Sequence, residues 1–199
     1  MRILLIGASG DVGAAAYSEL KKRHDVVAAG RKSGDLRVDI TDRTSIDALY
    51  REVGTVDAVV SAAGGVHFSA FSDYTEEQFM LGLRYKVMGQ INLVLAGLDQ
   101  LQDGGSFTLT SGVLDRDPIK QGVGAATANG ALGGFVKAAA IDLPRGLRIN
   151  VVSPGLLEVS ADRYGHLFPG HEHAPSDRVG RAYAKSVEGA MTGQVLIVD

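Results

Sequence analysis

The chain has 199 residues, 45% of them hydrophobic, and a formal net charge of −3 at pH 7. A chain of this length can bury a substantial core, and its even composition favours one domain over residues 1–199. Its basic residues are scattered and its apolar segments are short, so it lacks the signatures of nucleic-acid-binding and membrane-spanning proteins.

The N-terminal segment joins a predicted strand, Ile3–Ile6, to a predicted helix, Ala14–Arg23, through a glycine-rich turn. Gly7 permits a tight turn, Gly10 lets the backbone approach a pyrophosphate, and Gly13 lets the helix pack closely on the strand. The pyrophosphate would meet the N–H groups at the helix start. An ordinary strand-to-helix turn is the alternative, and a carboxylate is unexpected beside a pyrophosphate at Asp11. The predicted cofactor contacts of this turn are Gly7, Ser9, Gly10, Val12 and Gly13.

The residues after the second predicted strand, Asp25–Ala29, indicate which dinucleotide binds. A carboxylate at this place suits the 2′-hydroxyl of NAD, whereas cations suit the 2′-phosphate of NADP. The sequence has Arg31, Lys32 and Ser33 here, which could bind a 2′-phosphate by charge-assisted hydrogen bonds. We therefore predict NADP(H) as the cofactor. The alternative is that the two cations are solvated loop charges.

The middle of the chain alternates between predicted strands and helices. The strands are Leu36–Ile40, Val56–Ala62, Ser106–Ser111 and Arg148–Val152; the helices run from a cap at Thr41 or Thr44 to about Val53, from Glu76 to about Leu101, and from Val123 to Ile141. The third of these helices contains Gly130, Gly133 and Gly134, each of which costs about 1 kcal/mol of helix propensity relative to alanine. Close packing against another backbone would offset that cost.

The C-terminal part begins with an aperiodic segment, Leu156–His173, which we expect to be a long loop or lid with short helical pieces. A helix over Ser176–Val187 and a strand over Gly193–Val198 follow. The whole alternation predicts an α/β fold: a doubly wound parallel sheet of about seven strands with helices on both faces. The aperiodic segment contains His166, His171 and His173, but no spacing typical of metal ligands, so we predict no metal site. His67 is either a site residue or a surface histidine.

Seven short motifs follow one another along the chain, and their order is more specific than any one of them. They are Gly7–Gly13, Asp39-Ile40, Ser61-Ala62-Ala63-Gly64, Thr110-Ser111-Gly112, Asn129–Phe135, Leu147–Gly155 and Thr192–Val195. Together they resemble the short-chain dehydrogenase/reductase family, and the glycine spacing is closer to its extended and atypical branches. The resemblance implies a Rossmann-like domain, hydride transfer on a small carbonyl or alcohol, and a homodimer or homotetramer built partly on the two long helices. It also implies cofactor contacts from Asp39, Ile40, Ala62, Ala63, Gly64, Asn129, Pro154 and Gly155.

The proton-transfer residues of that family have no direct counterparts here. The resemblance places Ala125 where the family has its tyrosine, Asn129 where it has its lysine, and Lys86 where it has a helix asparagine. Ser111 matches the active-site serine and could hold a carbonyl oxygen, or it could be an ordinary strand-end serine. Lys86 could replace the missing acid or could only pair with another group. We also expect that Tyr85 and Lys86, adjacent on a helix, do not both face the site.

Two functions from different classes fit these residues. The first is an NADP(H)-dependent oxidoreductase with Ser111 and Lys86 as catalytic residues, acting on a small-molecule substrate. The second is a catalytically silent NADP(H) sensor or scaffold that reports the redox state of the cofactor through Leu156–His173. Because the chain has no cysteine and no signal-peptide pattern, we expect either protein to be cytoplasmic.

Overall fold

A parallel sheet of seven strands runs through the computed structural model, which describes residues 1–199. Its order is β3-β2-β1-β4-β5-β6-β9, and a separate pair is formed by β7 and β8. The strands are β1 (Arg2–Ile6), β2 (Asp25–Gly30), β3 (Leu36–Arg37), β4 (Val56–Ser61), β5 (Leu101–Thr110), β6 (Arg148–Pro154), β7 (Leu156–Leu157), β8 (His173–Ala174) and β9 (Val195–Val198). The order reverses between β1 and β4, where ligands bind in open parallel sheets.

Helices cover both faces of the sheet, as the sequence predicts. They are α1 (Asp11–Leu20), α2 (Arg43–Val53), α3 (Glu76–Leu81), α4 (Gly89–Gly97), α5 (Val123–Asp142), α6 (Ala161–Tyr164) and α7 (Ser176–Glu188). One apolar core lies between the sheet and α2, α4 and α5 around Phe107, and the other lies between the sheet and α1 and α7 around Tyr183. Both aromatic side chains are fully buried. The predicted fold class is confirmed.

Several element boundaries differ from the predictions. The third strand ends at Arg37 instead of Ile40, because Asp39 folds back to accept hydrogen bonds from the N–H and the hydroxyl of Thr41. The N-cap of α2 is Asp42, which accepts from Thr44 N, so the prediction of a threonine cap is wrong. Helix α1 begins at Asp11, three residues before the predicted start, which puts Gly13 inside its first turn.

The predicted helix from Glu76 to about Leu101 is interrupted by a π-helix over Gly82–Met88 and ends in a 3₁₀ turn at Gln100. Apolar periodicity does not reveal such an interruption, because the helical path continues through it. π-Helical turns are frequent at functional sites, since they change the direction of the side chains they carry. Lys86 lies in this segment.

The aperiodic segment contains short helical pieces, as expected, and also two short strands that were not expected. The short strands at its two ends, β7 and β8, pair in parallel, with Leu156 opposite His173. Between them the chain forms two 3₁₀ turns and α6. No helix is both long and apolar enough to span a bilayer.

Gly13 is expected to be essential for the glycine turn. A Cβ built on Gly13 would lie 2.0 Å from Gly7 O, whereas one built on Gly10 would have no neighbour closer than 3.7 Å. We expect Gly13→Ala to destabilise the fold by about 2 kcal/mol, since an added methyl group in close packing costs 1–3 kcal/mol. Urea unfolding measures the effect, and Gly10→Ala is the matched control. Equal stability of the two variants would contradict the prediction.

Candidate cofactor site and reaction centre

An elongated cavity of about 580 Å³ opens at the carboxyl ends of β1, β2 and β4. Nine of the predicted cofactor contacts line it, and six further residues complete its wall. The predicted ones are Gly7, Ser9, Arg31, Lys32, Ser33, Asp39, Ile40, Ala63 and Gly64, and the others are Ile6, Gly30, Val38, Thr41, Gly65 and Tyr85. The fold therefore joins the glycine turn to the cation-rich loop after β2 along one surface.

Glycines make the floor of this cavity possible. Gly7 has φ +90, and a Cβ there would lie 2.7 Å from Ala62 O. Gly64 has φ +135, and a Cβ there would lie 2.9 Å from Lys86 Cα, which brings the loop after β4 directly onto the π-helix. L side chains rarely adopt such φ values, so glycine is required at both places.

The loop after β2 gives the cavity a basic rim. Arg31 and Lys32 are exposed, and neither makes an ion pair within the chain. The hydroxyl and the backbone N–H of Thr41, with a smaller contribution from the charge of Arg31, hold the pKa of Asp39 below its usual value. Asp39 is therefore a fixed, ionised acceptor beside two free cations.

These residues fit a dinucleotide with a 2′-phosphate. The backbone cradle at Gly7 has no room for a Cβ, and Gly10 caps α1 without any side-chain hydrogen bond, which leaves the first N–H groups of that helix for a phosphate. The cations of Arg31 and Lys32 line the same cavity.

The remaining predicted cofactor contacts lie beyond the lining of this cavity. Gly10, Val12 and Gly13 form the start of α1. Ala62 follows β4, donating its N–H to Ile6 O, while Pro154 ends β6 and Gly155 N donates to Val198 O. Asn129 lies in α5 and faces the π-helix instead. Their contact with a cofactor stays a prediction.

A second polar cluster, which we call the reaction centre, consists of Lys86, Ser111 and Asn129. Lys86 Nζ donates to Asn129 Oδ1 at 2.7 Å and to Ser111 O at 3.0 Å. Burial lowers the pKa of Lys86 to about 8, against an opposing effect of the negative charge of Asp115. The Ser111 Oγ atom is buried and has no hydrogen-bond partner. Three elements thus place an ammonium, an amide and an orphaned hydroxyl in one cluster.

A contact between α4 and β5 fixes the position of this cluster. The side chain of Gln90 in α4 bonds to both the N–H and the carbonyl of Thr110, at 2.8 and 2.9 Å. This double contact ties the helix that follows Lys86 to the strand that precedes Ser111. Gln90 and Thr110 are both buried, so the contact is protected from water.

An apolar cluster borders the reaction centre at Ala125. It contains the buried side chains of Val113, Leu114 and Ala125, with Phe168 from the segment between β7 and β8 packed against them. Neither Ser111 nor Lys86 lines the large cavity. Ser111 and Asn129 are buried and Lys86 is partly buried, so little of the reaction centre is open to solvent in this conformation.

Tyr85 and Lys86 point to different places, in agreement with the expectation that they do not both face the site. Tyr85 lines the large cavity, whereas Lys86 points to Ser111 and Asn129. His67, the other uncertain residue, packs edge-on against Tyr74 and does not line the cavity.

Sequence reasoning missed Tyr85 and Thr41 as cavity residues, and it missed the contacts of Asp11. The position of Thr41 directly after Asp39-Ile40 was the available signal, since a threonine two residues after an aspartate often closes a local turn. The contacts of Asp11 come from Ser160 and Arg163, far along the chain, and no local pattern indicates them.

Comparisons with known proteins agree with this geometry. A family model described as enoyl-(acyl carrier protein) reductase matches residues 8–199. The crystal structure of protein lin1944 from Listeria innocua is 51% identical, with both chains fully covered and a TM-score of 0.98. A small-chain dehydrogenase in complex with NADPH is 25% identical, with 100% and 96% of the chains covered and a TM-score of 0.87.

A curated relative extends the comparison. It is an uncharacterized oxidoreductase of Methylorubrum extorquens, 29% identical over 153 residues. That match covers 74% of this chain and 60% of the relative, so the chain spans about three fifths of the relative's length.

Proposed function

Because the chain belongs to the short-chain dehydrogenase/reductase family of oxidoreductases, we propose that it interconverts a small carbonyl and its alcohol with NADP(H). The observation that carries the proposal is the contact between Lys86 and Asn129. The resemblance to the family implies that these two residues have exchanged their usual places, lysine for asparagine and asparagine for lysine. This exchange supports the proposal, because the π-helix and not α5 then supplies an ammonium group to the reaction centre.

The arrangement of these residues supports a different role for each of them in the reaction. Bound NADP(H) would supply or accept the hydride, held by the glycine turn and by Arg31 and Lys32. As hydride reaches a carbonyl carbon, negative charge develops on the carbonyl oxygen. Lys86 would donate a proton to that oxygen, and its lowered pKa of about 8 suits transfer near neutral pH. Ser111 Oγ, which has no partner in the chain, would donate a hydrogen bond to the same oxygen.

Turnover by the purified protein tests the proposal. NADPH oxidation is followed against a panel of ketones, aldehydes and enones, and NADP reduction is followed against the corresponding alcohols. Tight cofactor binding with substrate-dependent turnover supports the proposal. Tight binding without turnover on any substrate would contradict it and support the sensor.

The sensor is the second candidate because the hydroxyl and the amide of the reaction centre are buried. Ala125 has no proton to donate, and Phe168 packs over the cluster around it. A sensor requires the segment between β7 and β8 to change conformation with the redox state of the cofactor. Hydrogen exchange of that segment with NADP and with NADPH distinguishes the two candidates, since a sensor needs a difference between them.

We further propose a homodimer in which the exposed face of α5 is buried. Within the chain, a Cβ on Gly134 would meet nothing within 4 Å, and Ile141 on the same helix is 83% exposed. Intrachain packing therefore gives no reason for this glycine, whereas a second backbone would.

Gly134→Leu tests the dimer. A leucine fits the isolated chain and improves helix propensity by several tenths of a kcal/mol, so we expect an intact fold and a halved mass by light scattering. Gly134→Ala is the control for a smaller side chain. A wild-type monomer at micromolar concentration, or a Gly134→Leu variant with unchanged mass, would contradict the proposal.

A further inference from the structure

Asp11 puts a negative charge at the place where an anion is expected to bind. It is the first residue of α1, directly after Gly10, where the proposed function places the cofactor pyrophosphate. A carboxylate at this point would repel the phosphates that the helix N-terminus attracts. Its side chain is 37% exposed, so burial alone does not keep it away from a ligand.

The structure shows how this charge is compensated. Ser160 Oγ donates to Asp11 Oδ2 at 2.6 Å, and Arg163 Nη2 forms an ion pair with the same oxygen. Both partners belong to the segment between β7 and β8, about 150 residues away along the chain. Ser160 is itself buried, so the contact is part of the packed structure and is not a chance surface pair.

The same segment also packs against the apolar cluster that contains Ala125. Phe168, a few residues after Arg163, contacts this cluster of Val113, Leu114 and Ala125. The segment is thus held at one end by the glycine turn and at the other by this apolar cluster. The ion pair between Arg163 and Asp11 therefore links the position of this segment to the net charge at the start of α1.

We propose that Arg163 is a positioning residue for the cofactor. It neutralises Asp11 and thereby removes the repulsion between this carboxylate and a pyrophosphate bound at the start of α1. The inference rests on the proposed NADP(H) binding. When the segment is closed, Asp11 is paired and the cofactor binds tightly. When the segment opens, Asp11 is released and the cofactor is held less tightly. Cofactor binding therefore favours closure of the segment.

Two variants test this mechanism by NADPH titration. We expect Arg163→Met to weaken NADPH binding about fivefold at low salt, as one unscreened unit charge a few ångströms from the pyrophosphate would. Adding Asp11→Asn to Arg163→Met should restore affinity to within about twofold of wild type, because no carboxylate is left to neutralise. The deficit of Arg163→Met should also shrink as salt is raised, because salt screens the repulsion.

The control is Arg181→Met, which removes an equally exposed arginine that pairs with Asp177 at 2.6 Å on the outer face of α7. It should leave NADPH affinity unchanged. If the double variant binds as weakly as Arg163→Met, Arg163 acts on the phosphates directly or through the fold, and the mechanism is overturned. An Arg163→Met variant with wild-type affinity overturns it as well. A wild-type protein that binds no dinucleotide would overturn the proposed function first, and this inference with it.

Discussion

We expect Lys86→Met to lower kcat by about 10²–10³ while leaving the fold and measurable NADPH binding intact. Methionine keeps the length and the apolar stem of lysine but removes the ammonium, so a developing oxyanion loses its proton donor. Removal of one such donor costs about 3–4 kcal/mol, or 10²–10³ in kcat. Steady-state kinetics on a substrate from the carbonyl panel measures the loss, and circular dichroism checks the fold.

Lys185→Met on the exposed face of α7 is the matched control, and it should keep wild-type kcat. The exchanged pair offers a second variant. Lys86→Asn combined with Asn129→Lys returns the ammonium to α5 and should recover part of the activity that Lys86→Met loses. Full turnover by Lys86→Met would refute a catalytic role for this residue.

The lowered pKa of Lys86 gives the same prediction a pH signature. Only the ammonium form can donate a proton, and its population falls as pH rises through about 8. Carbonyl reduction should therefore be fastest below about pH 8 and should decline above it, while alcohol oxidation should show the opposite trend. A reduction rate that stays constant from pH 7 to about pH 10, where a normal lysine titrates, would indicate a different donor.

Arg31→Ala produces the second large effect, a loss of NADPH affinity of about 30-fold, or ~2 kcal/mol, with little change for NADH. The guanidinium is exposed and has no carboxylate partner within the chain, so it is available for the 2′-phosphate, which NADH lacks. Combining Arg31→Ala with Lys32→Ala should bring the affinities for the two cofactors close together.

Calorimetric titration of both cofactors measures these affinities. Arg43→Ala removes an exposed arginine that pairs with Asp47 on α2, outside the cavity, and should change neither affinity. Equal affinities of the wild-type protein for NADPH and NADH would show that Arg31 and Lys32 are only solvated loop charges.

The sequence determined the fold, because its signals are local and repeated. The apolar run at Ile3–Ile6, the glycines after it and the strand–helix alternation each fix a short element, and parallel strands with helical crossovers leave few ways to assemble them. The wall of the cavity was predictable for Gly7 and Arg31, since each lies directly after a strand at the same edge of the sheet, and for Asp39 through the resemblance of Asp39-Ile40 to a family motif.

Only the tertiary structure decided which polar side chains contact one another across the chain. Lys86 contacts Asn129 from 43 residues away, and Asp11 contacts Arg163 from 152 residues away. These contacts depend on the angle of a π-helix and on the path of a segment without periodicity, and neither has a local sequence signature. The sequence named Lys86 and Asn129 separately and left Asp11 unexplained. Packing brought Lys86 and Asn129 together in one reaction centre and paired the carboxylate of Asp11 with a cation.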